Sequence, residues 1–300
     1  MINKIINLVL PLVPKSIIRH FAKTYIAGET LGEAILTAEK IRKAGARCSI
    51  DLLGEYVESK EQTLKDLDLR LAVIDKIKEN KLDATESIKL TSLGLGLDDD
   101  FCWENTKRIV SYAKENGVYV RIDMEDTPYT DRSLAIYRKL REEGFDNVGI
   151  VLQAYLRRTR EDILSLLDLK PTIRLCKGIY IEPANLAFQD FNEINQNFKE
   201  LLELIFENNL YACIATHNSE LIEYAEKLIL EKNISKDRYE FQMLLGVTED
   251  KRNRLIKGGH PMRIYVSFGE DWYGYSMRRF AENPKIAKHV MRATIKSIFS

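Results

Sequence analysis

The chain has 300 residues, 45% hydrophobic and 30% charged. That balance excludes disorder and a disulfide-stapled miniprotein, and suits one large α/β domain or two ordinary ones. Lys plus Arg and Asp plus Glu number 45 each, so no basic excess points to nucleic acid, and four cysteines without a C-x-x-C pair argue against a zinc site.

Residues 1–45 read as a helical segment packing on the remainder, 46–300. The apolar stretch 5–13 is interrupted by Pro11 and falls far short of the ~20 residues that span a bilayer. One early Lys and no small-residue cleavage site argue against a signal peptide. From there, short apolar runs rich in β-branched residues recur at 48–53, 87–93, 118–124, 148–153, 172–177, 211–216, 239–244 and 262–266. Cys48, Cys176 and Cys213 fall within them and read as small core residues in a reducing compartment. Amphipathic, charge-rich stretches such as 59–81, 185–208 and 219–232 lie between, with Leu201, Leu204 and Ile205 forming one helical stripe.

Eight strand–helix units predict a parallel sheet buried on both faces, and the lack of a long linker predicts closure into a (β/α)8 barrel. An open doubly wound sheet would carry G-x-G-x-x-G after its first strand. The chain has Leu53-Gly54-Glu55-Tyr56 there, and Gly94-Leu95-Gly96 is read as a loop turn.

A parallel barrel does its chemistry at the carboxyl ends of its strands. Those ends are expected to present Lys89, the set Arg121, Asp123 and Glu125, Gln153 with Tyr155, Arg174 with Lys177 and Tyr180, Thr216-His217-Asn218, and Gln242. Any one of them has a structural explanation, such as Asp123 pairing with Arg121. Together they are more than a barrel built for stability would carry, because buried polar groups are costly. After the eighth strand, Tyr275, Arg278, Arg279 and Glu282 fall at i, i+3, i+4 and i+7 of a predicted helix. Two adjacent arginines suit a carboxylate, whose geometry matches the guanidinium fork.

These segments, in this order, resemble the proline dehydrogenase family over nearly the whole chain. The resemblance rests on Asp51-Leu52-Leu53-Gly54-Glu55, Ile88-Lys89-Leu90-Thr91, Arg121-Ile122-Asp123-Met124-Glu125, Leu152-Gln153-Ala154-Tyr155, Arg174-Leu175-Cys176-Lys177-Gly178-Ile179-Tyr180, Ala215-Thr216-His217-Asn218, Phe241-Gln242-Met243-Leu244 and the closing Tyr275-x-x-Arg278-Arg279-x-x-Glu282. It implies an FAD-dependent barrel that oxidises L-proline to Δ1-pyrroline-5-carboxylate and passes electrons to a membrane quinone.

By position, the resemblance implies that Asp123 and Arg174 form the catalytic pair. Arg278 and Arg279 would clamp the substrate carboxylate, with Lys89 completing the anion site and paired with Glu282. Tyr275, Leu244 and Tyr265 would shape the substrate pocket. Met124, Gln153, Lys177, Gly178, Ile179, Thr216 and His217 would hold FAD. Departures from the family pattern fall at Cys176, Ile179, Leu245 and Val266-Ser267-Phe268-Gly269. The chain is too short for the aldehyde-dehydrogenase domain of bifunctional relatives, which implies a monofunctional enzyme with a separate pyrroline-5-carboxylate dehydrogenase downstream. The expected location is cytoplasmic, with peripheral contact at the inner face of the membrane as a variant. The alternative is a Schiff-base lyase or aldolase using Lys89 or Lys177.

Overall fold

The computed structural model describes residues 18–19 and 22–282, with 278–282 through their backbone alone. The stretch 5–13 lies outside the described residues. Eight strands, β1 (Arg47–Leu52), β2 (Ala84–Ile88), β3 (Tyr119–Ile122), β4 (Val148–Gln153), β5 (Thr172–Cys176), β6 (Tyr211–Ala215), β7 (Tyr239–Leu244) and β8 (Met262–Phe268), close in sequence order into a barrel. Every pairing is parallel, and β8 returns to β1 over Arg47↔Arg263 through Leu52↔Phe268. This is the expected (β/α)8 architecture.

Around the barrel run α1 (Leu31–Lys43), α2 (Lys60–Glu79), α3 (Asp99–Glu115), α4 (Thr127–Glu142), α5 (Thr159–Ser165), α6 (Phe191–Glu207), α7 (Ser219–Glu231), α8 (Glu249–Lys257) and α9 (Trp272–Glu282). Their starts are written in the sequence. Thr30 and Glu33 form a reciprocal capping box at α1, and Ser59, Asp98, Asp190 and Asn218 each accept a backbone N–H at the first turns of α2, α3, α6 and α7. The apolar stripe of α6 buries Leu201, Leu204 and Ile205, and α1 packs on β1 and β8. Among the described residues no helix is long and apolar enough to cross a membrane.

Three expectations shift. The second strand lies at Ala84–Ile88, and Leu90–Leu93 forms a buried 3-10 turn. The strand is hard to see because Thr85, Glu86 and Ser87 are polar. Their partners come from elsewhere: Ser49 Oγ lies 3.0 Å from Thr85 Oγ1 and 2.9 Å from Ser87 Oγ, and Arg70 of α2 approaches Glu86 at 3.9 Å. The third strand stops at Ile122, so Arg121, Asp123 and Glu125 do not act as one set. Arg121 donates to the Ile150 and Thr172 carbonyls, and Glu125 accepts from the Thr91 backbone N–H at 3.0 Å and from the Thr91 hydroxyl. Finally, Cys48 and Cys213 are buried as expected, but Cys176 is half-buried and lines a cavity.

Candidate active site

A cavity of about 1310 Å³ opens at the carboxyl ends of the strands. Lys89, Asp123, Met124, Gln153, Arg174, Lys177, Gly178, Ile179, Thr216, His217, Leu244, Tyr265 and Tyr275 all line it. Helix α9 follows β8 and carries Tyr275, Arg278, Arg279 and Glu282 on its backbone. The side chains of Arg278, Arg279 and Glu282 lie outside the described residues. Tyr275 is held in a small apolar cluster with Ile18, Ala22, Tyr25, Ile26 and Leu53, which seats α9 against the segment before α1.

The centre of the cavity is a charged cluster. Arg174 NH1 donates to Asp123 Oδ1 at 2.5 Å, and the Tyr265 hydroxyl donates to Asp123 Oδ2 at 2.6 Å. The Tyr265 ring lies under the Arg174 guanidinium, 5.1 Å from centroid to carbon. Burial, with Asp123 beside it, raises the Tyr265 phenol pKa well above its ordinary value, so the ring stays protonated as the donor.

Lys89 sits just past β2 and donates to the buried carboxylate of Asp51 at 2.8 Å, with Asp123 at 4.0 Å. Burial works against its charge, but Asp51 and Asp123 outweigh burial and raise its pKa. The partner observed for Lys89 is therefore Asp51, a residue quoted in the first-strand segment but given no role by sequence reasoning. The signal available was its own position, a lone carboxylate within an apolar strand end.

A second wall carries polar groups with unused capacity. Gln153 donates through Nε2 to the Met124 and Glu125 carbonyls at 2.9 and 3.0 Å, which fixes its amide and leaves its buried Oε1 without a partner. Gly178 has φ +105°, and a Cβ there would meet the Tyr155 ring at 2.1 Å. The Lys177 ammonium stands 3.8 Å from the Phe191 ring centroid and 3.2 Å from Asn195 Oδ1, and burial lowers its pKa. His217 Nε2 accepts the Leu244 N–H at 2.9 Å, which assigns the proton of the neutral ring to Nδ1. An orphaned amide oxygen, with the Lys177 ammonium and the Thr216 hydroxyl lining the same cavity, suits a large ligand with both hydrogen-bonding ring edges and phosphates. Among the described residues no cluster of His, Cys, Asp or Glu could hold a metal ion.

Sequence reasoning named Gln242 at a strand end but passed over the two serines that join it in supporting Arg174. Its Nε donates to Gln242 Oε1 at 2.6 Å, and its NH2 to Ser49 and Ser87 hydroxyls at 3.1 and 3.2 Å. Two small serines in strands carry little signal on their own.

Comparison with known proteins bears on the family. A family model described as proline dehydrogenase matches residues 34–292. The chain is 38% identical over 275 residues to proline dehydrogenase 1 of Bacillus subtilis subsp. natto, covering 92% of this chain and 91% of the relative. It is 36% identical over 281 residues to the proline dehydrogenase of Deinococcus radiodurans, with the same coverage of both chains. The crystal structure of proline utilization A (PutA) from Bdellovibrio bacteriovorus inactivated by N-propargylglycine superposes with a TM-score of 0.83 at 24% identity. That likeness covers 89% of this chain and 33% of the larger protein, and it speaks to the fold. On the family match and the two relatives aligned nearly end to end, the chain belongs to the proline dehydrogenase family.

Proposed function

We propose that this chain oxidises L-proline to Δ1-pyrroline-5-carboxylate with FAD as its cofactor, that the electrons pass on to a membrane quinone, and that the product goes to a separate pyrroline-5-carboxylate dehydrogenase. The observation that carries the reading is the Asp123–Arg174–Tyr265 cluster beside Lys89, in one cavity with the apolar Leu244 and Tyr275. FAD, when bound, supplies the hydride acceptor that no side chain provides. Met124, Gln153, Lys177, Gly178, Ile179, Thr216 and His217 would hold it. The unpartnered Gln153 oxygen supports that fit.

Arg174 brings a fixed positive charge to the reacting centre, and Asp123 holds that charge in place while Tyr265 holds Asp123. A preorganised charge of this kind needs no rearrangement during the reaction. Lys89 remains an ammonium because of Asp51, and with Arg278 and Arg279 it would bind the substrate carboxylate. Glu282, on the same helical stripe, would orient that clamp. Leu244, Tyr265 and Tyr275 would enclose the pyrrolidine ring and exclude water. A Schiff-base role for Lys89 is disfavoured by the same raised pKa, since the nucleophile is the neutral amine. Lys177, with its lowered pKa, is the residue that borohydride would trap under the alternative lyase reading.

The test is an absorption spectrum of flavin-loaded protein before and after anaerobic addition of L-proline. Bleaching of the flavin band is expected, and a protein that takes up no flavin would overturn the reading. Arg278→Met and Arg279→Met should each lower kcat/KM for proline about 10- to 150-fold, the worth of a hydrogen bond to a charged group, with flavin content unchanged. Wild-type kinetics in both would remove the carboxylate clamp from the reading.

A further inference from the structure

We propose that Gln242 and Glu240 of β7 are positioning residues that fix the Arg174 guanidinium from below. This rests on the proline oxidation reading for its kinetic consequence, but its geometry stands independently.

The hydrogen bonds converge on Glu240 from two sides. Arg263 of β8 donates through NH1 to the Cys48 carbonyl at 2.7 Å and through Nε to Glu240 Oε1 at 2.7 Å. Gln242 Nε2 donates to that same Glu240 oxygen at 2.6 Å, and Gln242 Oε1 accepts from Arg174 Nε at 2.6 Å. Arg174 then passes its NH1 to Asp123. Gln242 and Glu240 are two residues apart on one strand and so share its inward face.

The logic lies in the amide. A glutamine between an arginine N–H and a carboxylate has one satisfactory orientation. Turned over, its NH2 would face the Arg174 Nε–H and its oxygen would face the Glu240 carboxylate, with both contacts repulsive. Glu240 thus sets which end of Gln242 meets Arg174. Burial alone would favour a neutral Glu240, but Arg263 outweighs it and holds the carboxyl pKa below its ordinary value, so the acceptor stays ionised.

Gln242 also forms the partition between two spaces. It lines the upper cavity and a second one of about 330 Å³ at the amino-terminal end, which Glu240, Arg263 and Arg121 border. Arg174 cannot slide downward while Gln242 and the Ser49 and Ser87 hydroxyls hold its lower edge. Its NH1 is left facing Asp123 at the site where charge is needed.

The decisive variant is Gln242→Leu, which keeps the volume and removes the acceptor. Two measurements go with it. The first is the Arg174 Nε–H resonance in 15N-labelled protein without flavin or proline, assigned by its disappearance in Arg174→Lys. Rapid solvent exchange of that N–H in Gln242→Leu is expected. The second is steady-state kinetics of the flavin-loaded enzyme. Here kcat should fall about 10- to 150-fold, as for loss of a hydrogen bond to a charged group, while KM for proline and flavin stoichiometry change little.

Glu240→Met combined with Arg263→Met replaces a buried ion pair by apolar side chains of similar length, a change that is often tolerated. It removes the anchor of the amide without leaving a lone buried charge, so kcat should fall and the Arg174 resonance should move. The same measurements on this double variant decide the matter if Gln242→Leu does not fold. An unchanged Arg174 resonance together with wild-type kcat in a folded variant overturns the proposal. A wild-type protein whose flavin does not respond to proline would instead overturn the reaction reading and leave the hold on Arg174 standing.

Discussion

Asp123 shows how much of the site depends on single atoms. Each of its oxygens has one strong donor, Arg174 NH1 on one side and the Tyr265 hydroxyl on the other. Asp123→Asn keeps the shape but sets an NH2 against one of those donors. Flavin reduction by proline should slow about 10- to 150-fold, with flavin content retained; a variant that reduces flavin at the wild-type rate would show that Asp123 only packs there. Gly178 is constrained differently. Its positive φ disfavours any side chain, and a Cβ would strike the Tyr155 ring, which is itself buried. Gly178→Ala should therefore lose about 2–5 kcal/mol of stability, from backbone strain together with overpacking. The urea midpoint reads this directly, and an unshifted midpoint would mean that Tyr155 moves aside freely. Asp123, Arg174 and Gly178 were legible in the sequence as polar or glycine positions at strand ends. Ser49, Ser87, Glu240 and Arg263 were not, because their importance comes from neighbours more than thirty residues away in most cases, and a sequence gives no distance between strands.

At the level of elements, the α2–β2 pair explains the strand that was misplaced. Arg70 on α2 is fully buried and donates to the Ser87 carbonyl at 3.1 Å, the Leu52 carbonyl at 3.4 Å and Ser92 Oγ at 3.0 Å. It thereby ties together the ends of β1 and β2 and the 3-10 turn that presents Lys89. Periodicity locates a strand by its apolar run. Here the apolar run Leu90–Leu93 belongs to the buried turn, and the strand itself is polar on both faces, toward Arg70 outside and toward Ser49 inside. The other strands were legible because the face alternate to their polar residues is unbroken apolar, as with Phe241 and Met243 in β7 and Ile264 and Val266 in β8, whereas Glu86 interrupts that face in β2. Helix starts were legible from their capping residues, except at α5 and α8, whose N-cap residues Arg158 and Thr248 make no side-chain cap. Arg70→Met should lower stability by about 2–5 kcal/mol, since the Ser87 and Leu52 carbonyls and the Ser92 hydroxyl lose their buried donor. A urea midpoint within error of wild type would show that α2 docks without it.

For the molecule as a whole, two buried carboxyls make stability depend on pH in the neutral range. Burial raises the Glu86 pKa to about 8, with Arg70 working against the shift and Asp51 adding to it. Burial likewise raises Glu125 to about 7, against the hydrogen bonds from Thr91. Both folded-state values lie above the ordinary carboxyl pKa, so the folded chain holds more protons than the unfolded one in this range. Stability is therefore full below about pH 4.5 with respect to these two groups, and is lost as pH rises through about 7 for Glu125 and about 8 for Glu86. His260 acts in the opposite sense, because burial lowers its pKa and folding keeps it neutral, so its contribution is gained as pH rises toward 6.5. Carboxyls whose pKa is lowered, such as Asp98 and Asp168, act only at more acidic pH. Between pH 5 and 8 the carboxyl effect should dominate, at most about 1.4 kcal/mol per pH unit for each group. Glu86→Gln carries a neutral side chain of the same shape at every pH. Urea denaturation of both proteins at constant ionic strength should show wild type losing roughly 2–4 kcal/mol more than Glu86→Gln between pH 5 and 8. Parallel pH profiles for the two would mean that Glu86 is already ionised in the fold and that Arg70, 3.9 Å away, compensates its burial.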